Sequence, residues 1–373
     1  MRGFLWEGAR LTKALLDDVE DPEGVLTPLR RFRLLDWVQG DVAKLGNASF
    51  NLDLIGTILH PASALATLLK NPGFQASHYQ AVLHFAEGDE AWNLWTEWRV
   101  IVTNLEDTAR LVHAHQFYLD HEAVMLTAVE VLWPEEQSYE YLMLDRVIYG
   151  ETAFWTERQN TPLHDQRYVF DMDQVARCTV QPGGILRADR TFIPWLDIPD
   201  VAAYHDPTAD KQAVVGSDYA CCVVMARDTH GYLYVLGVYC AQEASTRQQL
   251  LDVVDLLWEW QVPLFGLEAN GFQSLLAGTL RELIAQRAKD EGVTWDVTLV
   301  PIVNTRNKIL RIQTLEPLLA NHWLQLAVNV PADYLRQFRD FLPIEGSGGH
   351  DDAPDATEGA ARVVQGLYDR RSF

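Results

Sequence analysis

The stretch GSGGHDDAPDATEGAARVV, residues 346–364, places three aspartates within five positions: Asp351, Asp352 and Asp355. Gly346, Gly348 and Gly349 stand before them and predict a loop. Small residues at helical spacing follow and predict a helix that opens at the aspartates. On that helix Asp351 and Asp355, four apart, and Asp352 and Asp355, three apart, share faces. Charges of one sign this close need either open solvent or a shared counter-ion. The choice depends on where the other carboxylates lie.

Working back from this stretch, the second half reads as alternating strands and helices. VAAYHDP (201–207) is an apolar strand ending at Asp206. YACCVVMARDTHGYLYVLGVYCA (219–241) is two strands joined at DTHG. TRQQLLDVVDLLWEWQ (246–261) is a helix. PLFGLEANGFQ (263–273) is a short buried strand ending at Glu268, followed by a helix to about residue 292. WDVTLVPIV (295–303) is a strand, TRNKILRIQTLEPLLANH (305–322) a helix, and YLRQFRDFL (334–342) another. Strand ends gather at one edge of an α/β sheet, so Asp206, Glu268 and the last helix's first turn are expected to converge there. Singly, each aspartate reads equally well as a turn former or a helix N-cap. Together they form an all-oxygen set suited to Mg²⁺ or Mn²⁺. A pair of such ions serves in-line phosphodiester cleavage. The order strand-Asp, hairpin, helix, strand-Glu, helix, strand, helix, HDD-helix is the ribonuclease H-like arrangement.

Length and composition fit this reading. The chain has 373 residues, 48% hydrophobic and 22% charged, enough for about two globular domains. The net charge of −22 argues against broad, non-specific attraction to nucleic acid, though not against a local basic surface. No apolar run approaches the roughly 18 residues of a membrane span, and the N-terminus lacks a secretory pattern. The four cysteines, Cys178, Cys221, Cys222 and Cys240, form no C-x-x-C pair and read as free thiols in a reducing, intracellular setting. The first half mixes helices at 28–45 and 89–126 with short strands at 13–18 and 52–60, an α/β layout. Trp92, Trp95, Trp98, Trp133 and Trp155 read there as packing residues. QPGG and FIPWLDIP mark residues 166–195 as a linker with short strands.

These stretches resemble the large subunit of phage terminases, the DNA-packaging motor that joins an ATPase domain to a nuclease domain. In the second half the likeness lies in HDPTADKQAVVGSDYACCVV, LFGLEANGFQ, TRNKILRIQTLEPLL and GHDDAPDATEGAA. It implies a nuclease triad of Asp206, Glu268 and one of Asp351 and Asp352, with Asp352 favoured, and an accessory acidic position at Asp218. In the first half GARLTKALLDDVED resembles a Walker B strand ending in Asp17 and Asp18. LDLIGTILH resembles the coupling motif, with Gly56 and Thr57, and AFWTERQNTP, with Glu157 and Asn160, the close of the ATPase domain. The resemblance thus implies an incomplete P-loop ATPase-like domain over 1–165, a linker over 166–195, and over 196–373 a ribonuclease H-like nuclease domain, its mixed sheet flanked by helices.

One departure is large. No G-x-x-x-x-G-K-[ST] phosphate loop occurs anywhere, so the chain is expected to begin near Walker B. Truncation, gene splitting with a separate chain supplying Walker A, and decay of a prophage copy all remain open. No ATP binding or hydrolysis is expected from this chain alone.

Lys308 and Arg311, one turn apart, with Arg306 near them, read either as a solvated helix face or as DNA phosphate contacts. His350 could orient a carboxylate, and the glycine loop before it could gate the site. The leading expectation is a Mg²⁺- or Mn²⁺-dependent endonuclease that cuts double-stranded concatemeric DNA during packaging. Its partners would be a portal protein and a small terminase subunit, in the cytoplasm of an infected or lysogenic bacterium. The rivals are a non-catalytic or decayed motor component and a different ribonuclease H-like enzyme, such as a transposase or junction resolvase.

Overall fold

A computed structural model of the chain describes residues 10–163, 168–208, 219–242, 245–268, 276–344 and 349–367. These fall into two units. One is built from 10–102, 111–163 and 343–344, the other from 103–110 and the described parts of 168–342 and 349–367.

In the first unit, strands β1 (Leu11–Asp17) and β2 (Gly46–Ile55) pair in parallel with Asp17 opposite Ile55. Helix α1 (Pro28–Asp36) starts where Thr27 caps the Arg30 amide and Pro28 takes the first turn, which has no need of its missing N–H. It runs on through a wider turn at Trp37–Asp41 and a tight one at Val42–Lys44, close to the expected 28–45. Helix α2 (Ala64–Leu68) follows. Strands β3 (Val82–His84) and β4 (Glu130–Val131) pair around α3 (Asp89–Thr103) and α4 (Arg110–Met125); α5 (Tyr139–Tyr149) and α6 (Glu151–Ala153) come after.

The single helix expected over 89–126 is two. Asn104 and Asp107 turn their side-chain oxygens onto the amides of Glu106 and Ala109, which offers the backbone an alternative to the helix. Trp95 and Trp98 are buried edge to face, with ring centroids 5.1 Å apart, and Trp95 Nε1 donates to the Met125 carbonyl. Trp92 and Trp133 are exposed.

The second unit is built on a nine-stranded sheet. Its strands are β5 (Arg177–Gln181), β6 (Gly184–Leu186), β7 (Phe192–Pro194), β8 (Asp200–Asp206), β9 (Ala220–Arg227), β10 (Leu233–Ala241), β11 (Leu264–Glu268), β12 (Thr298–Ile302) and β13 (Leu324–Ala327). The spatial order is β12-β11-β8-β9-β10-β13-β5-β6-β7. Strands β8, β9 and β10 form an antiparallel meander, and β11 and β12 add in parallel beside β8. The order β10-β9-β8-β11-β12 is ribonuclease H-like. Strand β9, ACCVVMAR, is a near-continuous apolar run because both its faces are covered. The turn at DTHG is held by Asp228, whose Oδ1 accepts from the amides of His230, Gly231 and Tyr232.

Among the described residues six helices complete this unit: α7 (Thr246–Glu259), α8 (Leu276–Asp290), α9 (Lys308–Ile312), α10 (Leu315–Ala320), α11 (Ala332–Arg339) and α12 (Asp352–Val364). Residues 177–194, within the expected linker with short strands, form the three strands β5, β6 and β7, which join the sheet through β13. The helix expected over 305–322 is two short ones, divided at Gln313–Thr314, where the Thr314 hydroxyl turns back onto the Arg311 carbonyl. All four cysteines are free. Among the described residues no helix is long and apolar enough to cross a membrane.

Candidate active site

Asp206 is the last residue of β8 and Glu268 the last of β11. These strands are parallel neighbours, and the register that pairs Leu267 with His205 sets Glu268 beside Asp206. Burial raises the proton affinity of Asp206 well above the carboxylate norm; the neighbouring Glu268 and Asp355 carboxyl groups add to this, and Lys308 opposes it.

Helix α12 delivers the remaining carboxylates. It lies across β8 and β9 on a face of small residues, Ala353, Ala356, Gly359 and Ala360, all buried. Asp352 is 6% and Asp355 3% exposed, so these side chains are interior groups, not a solvated face. Asp352 Oδ2 accepts from the Tyr219 amide at 3.0 Å. The Ala353 amide donates to Gln337 Oε1 at 2.8 Å.

The positive charge among these groups comes from the chain itself. Lys308 Nζ is 2.7 Å from Asp351 Oδ1, 3.5 Å from Asp352 Oδ1 and 3.5 Å from Asp355 Oδ2. Burial alone would lower the lysine's affinity for its proton, but Asp355, Asp351, Asp352 and Asp206 together raise it above the usual range. Arg311 NH1 is 2.7 Å from Asp355 Oδ1, an ionic contact without good hydrogen-bond angles, and donates to Glu358 Oε2 at 2.8 Å. For Asp355, burial raises the proton affinity more than Lys308 and Arg311 lower it.

Asp206, Glu268, Asp351 and Asp352 therefore lie at one edge of the sheet. Asp218 lies outside the described residues, as do Gly346 and Gly348. Arg311, expected to contact DNA phosphate, is 5% exposed and is held between two carboxylates; its charge is used inside the protein. Lys308 likewise turns to the aspartates, whereas Arg306 is exposed. His350 packs edge-on against Tyr219 and has Nδ1 3.8 Å from Asp352 Oδ2. Sequence reasoning left out Asn304, whose Nδ2 donates to Glu268 Oε1 at 2.9 Å. Its signal is only an Asn just past a strand that neighbours an acidic strand end.

No protein-family profile matches the sequence, and no curated protein does. Solved structures do match. The human cytomegalovirus terminase nuclease domain is 9% identical over 45% of this chain and 84% of its own, with a TM-score of 0.32. The nuclease domain of the large terminase subunit gp2 of bacterial virus Sf6 is 8% identical over 44% and 88%, with a TM-score of 0.30. The large terminase of a thermophilic bacteriophage, in complex with ADP, is 10% identical over 97% and 71%, with a TM-score of 0.44. The chain resembles terminase large subunits. The likeness is distant, and the chemistry has to be read from the side chains.

Four residues of the first unit that the terminase resemblance singled out are also neighbours. Asp17 and Asp18 close β1, and Gly56 and Thr57 follow β2, so all four stand at the carboxyl ends of the parallel pair. The Asp18 amide donates to the Ile55 carbonyl at 3.0 Å, and a Cβ on Gly56 would stand 3.2 Å from Asp18 Oδ1. Asn160 Oδ1 accepts from the Ile58 amide just beyond.

The fit of a divalent cation can be judged on the donor set of the second unit. Asp206, Glu268, Asp352 and Asp355 offer only oxygen, which suits Mg²⁺ and Mn²⁺. The raised proton affinity of buried Asp206 beside Glu268 and Asp355 marks a place where positive charge is needed. Among the described residues, no three His, Cys, Asp or Glu side chains stand ready-arranged around a metal position. Lys308 meets the charge of Asp351, Asp352 and Asp355 instead.

Proposed function

We propose that the second unit is a metal-dependent endonuclease of the terminase large-subunit type, which cuts double-stranded concatemeric DNA during genome packaging. One observation carries this reading: the register of the parallel strands β8 and β11 sets Asp206 and Glu268 side by side at one sheet edge, where helix α12 brings Asp351, Asp352 and Asp355 around Lys308. Carboxylates gathered from three elements repel one another unless positive charge lies among them.

Asp206, Glu268 and Asp352 would hold Mg²⁺ or Mn²⁺, with Asp351 beside them; such ions activate the attacking water and steady the leaving oxygen in phosphodiester hydrolysis. The chain's residues do the rest. Tyr219, through its amide, fixes one oxygen of Asp352. Arg311 neutralises Asp355 and Glu358 behind the site, so that helix α12 can present its acidic turn. The exposed Arg306 supplies positive charge on an otherwise acidic protein, suited to DNA phosphates without reading bases.

Residues 1–165 are proposed as an ATPase-like domain in which Asp17 and Asp18 do not support ATP hydrolysis by this chain alone, because the sequence holds no G-x-x-x-x-G-K-[ST] phosphate loop. A portal protein, a small terminase subunit and a chain supplying Walker A are the proposed partners.

Nicking of supercoiled plasmid tests the main reading. Cutting is expected with Mn²⁺ or Mg²⁺, none with EDTA, and none with Asp206→Asn. A second reading, a non-catalytic motor component, is favoured by the internal cation Lys308 and by the lack of a ready-arranged metal position among the described residues. Wild-type protein that neither cuts DNA nor binds Mn²⁺ would decide for it.

A further inference from the structure

Glu268 is held from behind by polar side chains that come from two other elements. Asn304, two residues past β12, donates Nδ2 to Glu268 Oε1 at 2.9 Å and to the Tyr204 hydroxyl at 3.2 Å. Its Oδ1 accepts from Arg362 NH2 at 2.8 Å. A guanidinium has donors only, so Arg362 determines which end of the amide faces it. The oxygen must turn to Arg362, and the NH₂ must then turn to Glu268.

Arg362 is itself set in place. Its Nε lies 2.6 Å from Glu358 Oε1, and the second Glu358 oxygen accepts from Arg311 at 2.8 Å. Arg311 reaches Asp355 at 2.7 Å. The run Glu268, Asn304, Arg362, Glu358, Arg311, Asp355 is therefore unbroken. It joins the end of β11 to the first turn of α12, the two elements that carry acidic groups of the site. Glu358 and Arg311 are 4% and 5% exposed, so solvent does little to screen this run.

We infer that Asn304 is a positioning residue for Glu268, and that Arg362 acts through Asn304 by fixing its amide. The inference rests on the reading of Asp206 and Glu268 as a cation-binding pair, and adds what sets that pair's affinity. An N–H donated to a carboxylate restricts its rotation. A ligand so held binds a divalent cation more tightly than one that must be ordered on binding. Removing such outer partners of a metal ligand weakens binding roughly 10- to 100-fold.

Mn²⁺ titration of the full chain, followed by electron paramagnetic resonance at pH 7, tests this. Asn304→Ala should weaken Mn²⁺ binding at least about tenfold. Arg362→Lys keeps a charge for Glu358 but gives up the second nitrogen that reaches Asn304, so it should weaken binding comparably. The double variant should bind no more weakly than Asn304→Ala alone, because Arg362 works through the amide. A purely structural role predicts losses that add, and a lowered metal-free melting temperature in place of the Mn²⁺ effect. If Asn304→Ala does not fold, Arg362→Lys alone decides, by showing or lacking the loss. Wild-type affinity in both single variants would overturn the inference and leave the proposed function standing, as would additive losses for the relay through Asn304. A wild-type chain that binds no Mn²⁺ would overturn both.

Discussion

Gly359 lies against the ring of Tyr204 so closely that a Cβ at this position would fall 2.4 Å from the ring. Tyr204 is fully buried on β8, and its hydroxyl accepts from Asn304. Neither partner can retreat. The close approach lets α12 sit on the sheet and bring its acidic turn to Asp206.

Gly359→Ala should therefore destabilise the second unit. Alanine would gain about 1 kcal/mol in helix propensity, but overpacking typically removes about 1–3 kcal/mol, and here the obstacle is a fully buried ring. A urea-unfolding midpoint below wild type is expected, together with weaker Mn²⁺ binding. A midpoint at or above wild type would mean that α12 can shift freely.

Lys308→Ala removes the internal cation from Asp351, Asp352 and Asp355. Lys308 is partly exposed, so the loss of metal-free stability should fall between that of a surface and a buried pair, about 1–3 kcal/mol. Added Mn²⁺ should recover more stability in the variant than in wild type, since it replaces the missing charge. Paired thermal melts with EDTA and with Mn²⁺ measure both. An equal Mn²⁺ response in the two proteins would separate Lys308 from the cation site.

Asp206 keeps its proton in the metal-free folded chain to a pH well above that of an unfolded aspartate. The folded state then binds more protons than the unfolded one from about pH 4 upward, so this group lowers stability as pH rises toward its folded value. Asp206→Asn abolishes that dependence. With EDTA present, the variant should gain on wild type between pH 5 and pH 8. A gap that narrows over this range would contradict the raised proton affinity of Asp206.

His205 gives the opposite slope at lower pH. Burial brings its pKa down from 6.5 to about 4, while Nδ1 is held by the Cys221 carbonyl. Unfolded chains take up this proton first as pH falls, so stability is lost from about pH 6.5 down to about 4, by roughly 3 kcal/mol in all. Denaturant titrations of wild type and His205→Gln from pH 4 to 7 should show the slope in wild type only.

What the sequence made legible has a physical pattern. Asp206 and Glu268 end apolar runs that can only be buried strands, and the HDD turn opens a small-residue helix; local spacing carries all three. The ion-pair partners are tertiary facts. Lys308 and Arg311 read as a basic helix face because nothing local reveals that both turn to α12. Asn304 gains its meaning only from Arg362, 58 residues away. Strand β13, LQLA, is four residues long between helical patterns and pairs with strands far away in sequence, so no local period announces it.

The position of β13 also has a consequence for how the chain is made. Among the described residues, strands β5, β6 and β7 reach the rest of the sheet only through it, yet Leu324 follows Pro194 by 130 positions. At roughly 5–20 residues per second, the first meander leaves the ribosome roughly 7–26 s before its docking strand exists. Through that interval β5 offers an unpaired edge to any neighbour, another nascent copy included. Successful assembly of this nuclease-like sheet thus depends on how crowded the polysome is and on what shields that edge while synthesis continues.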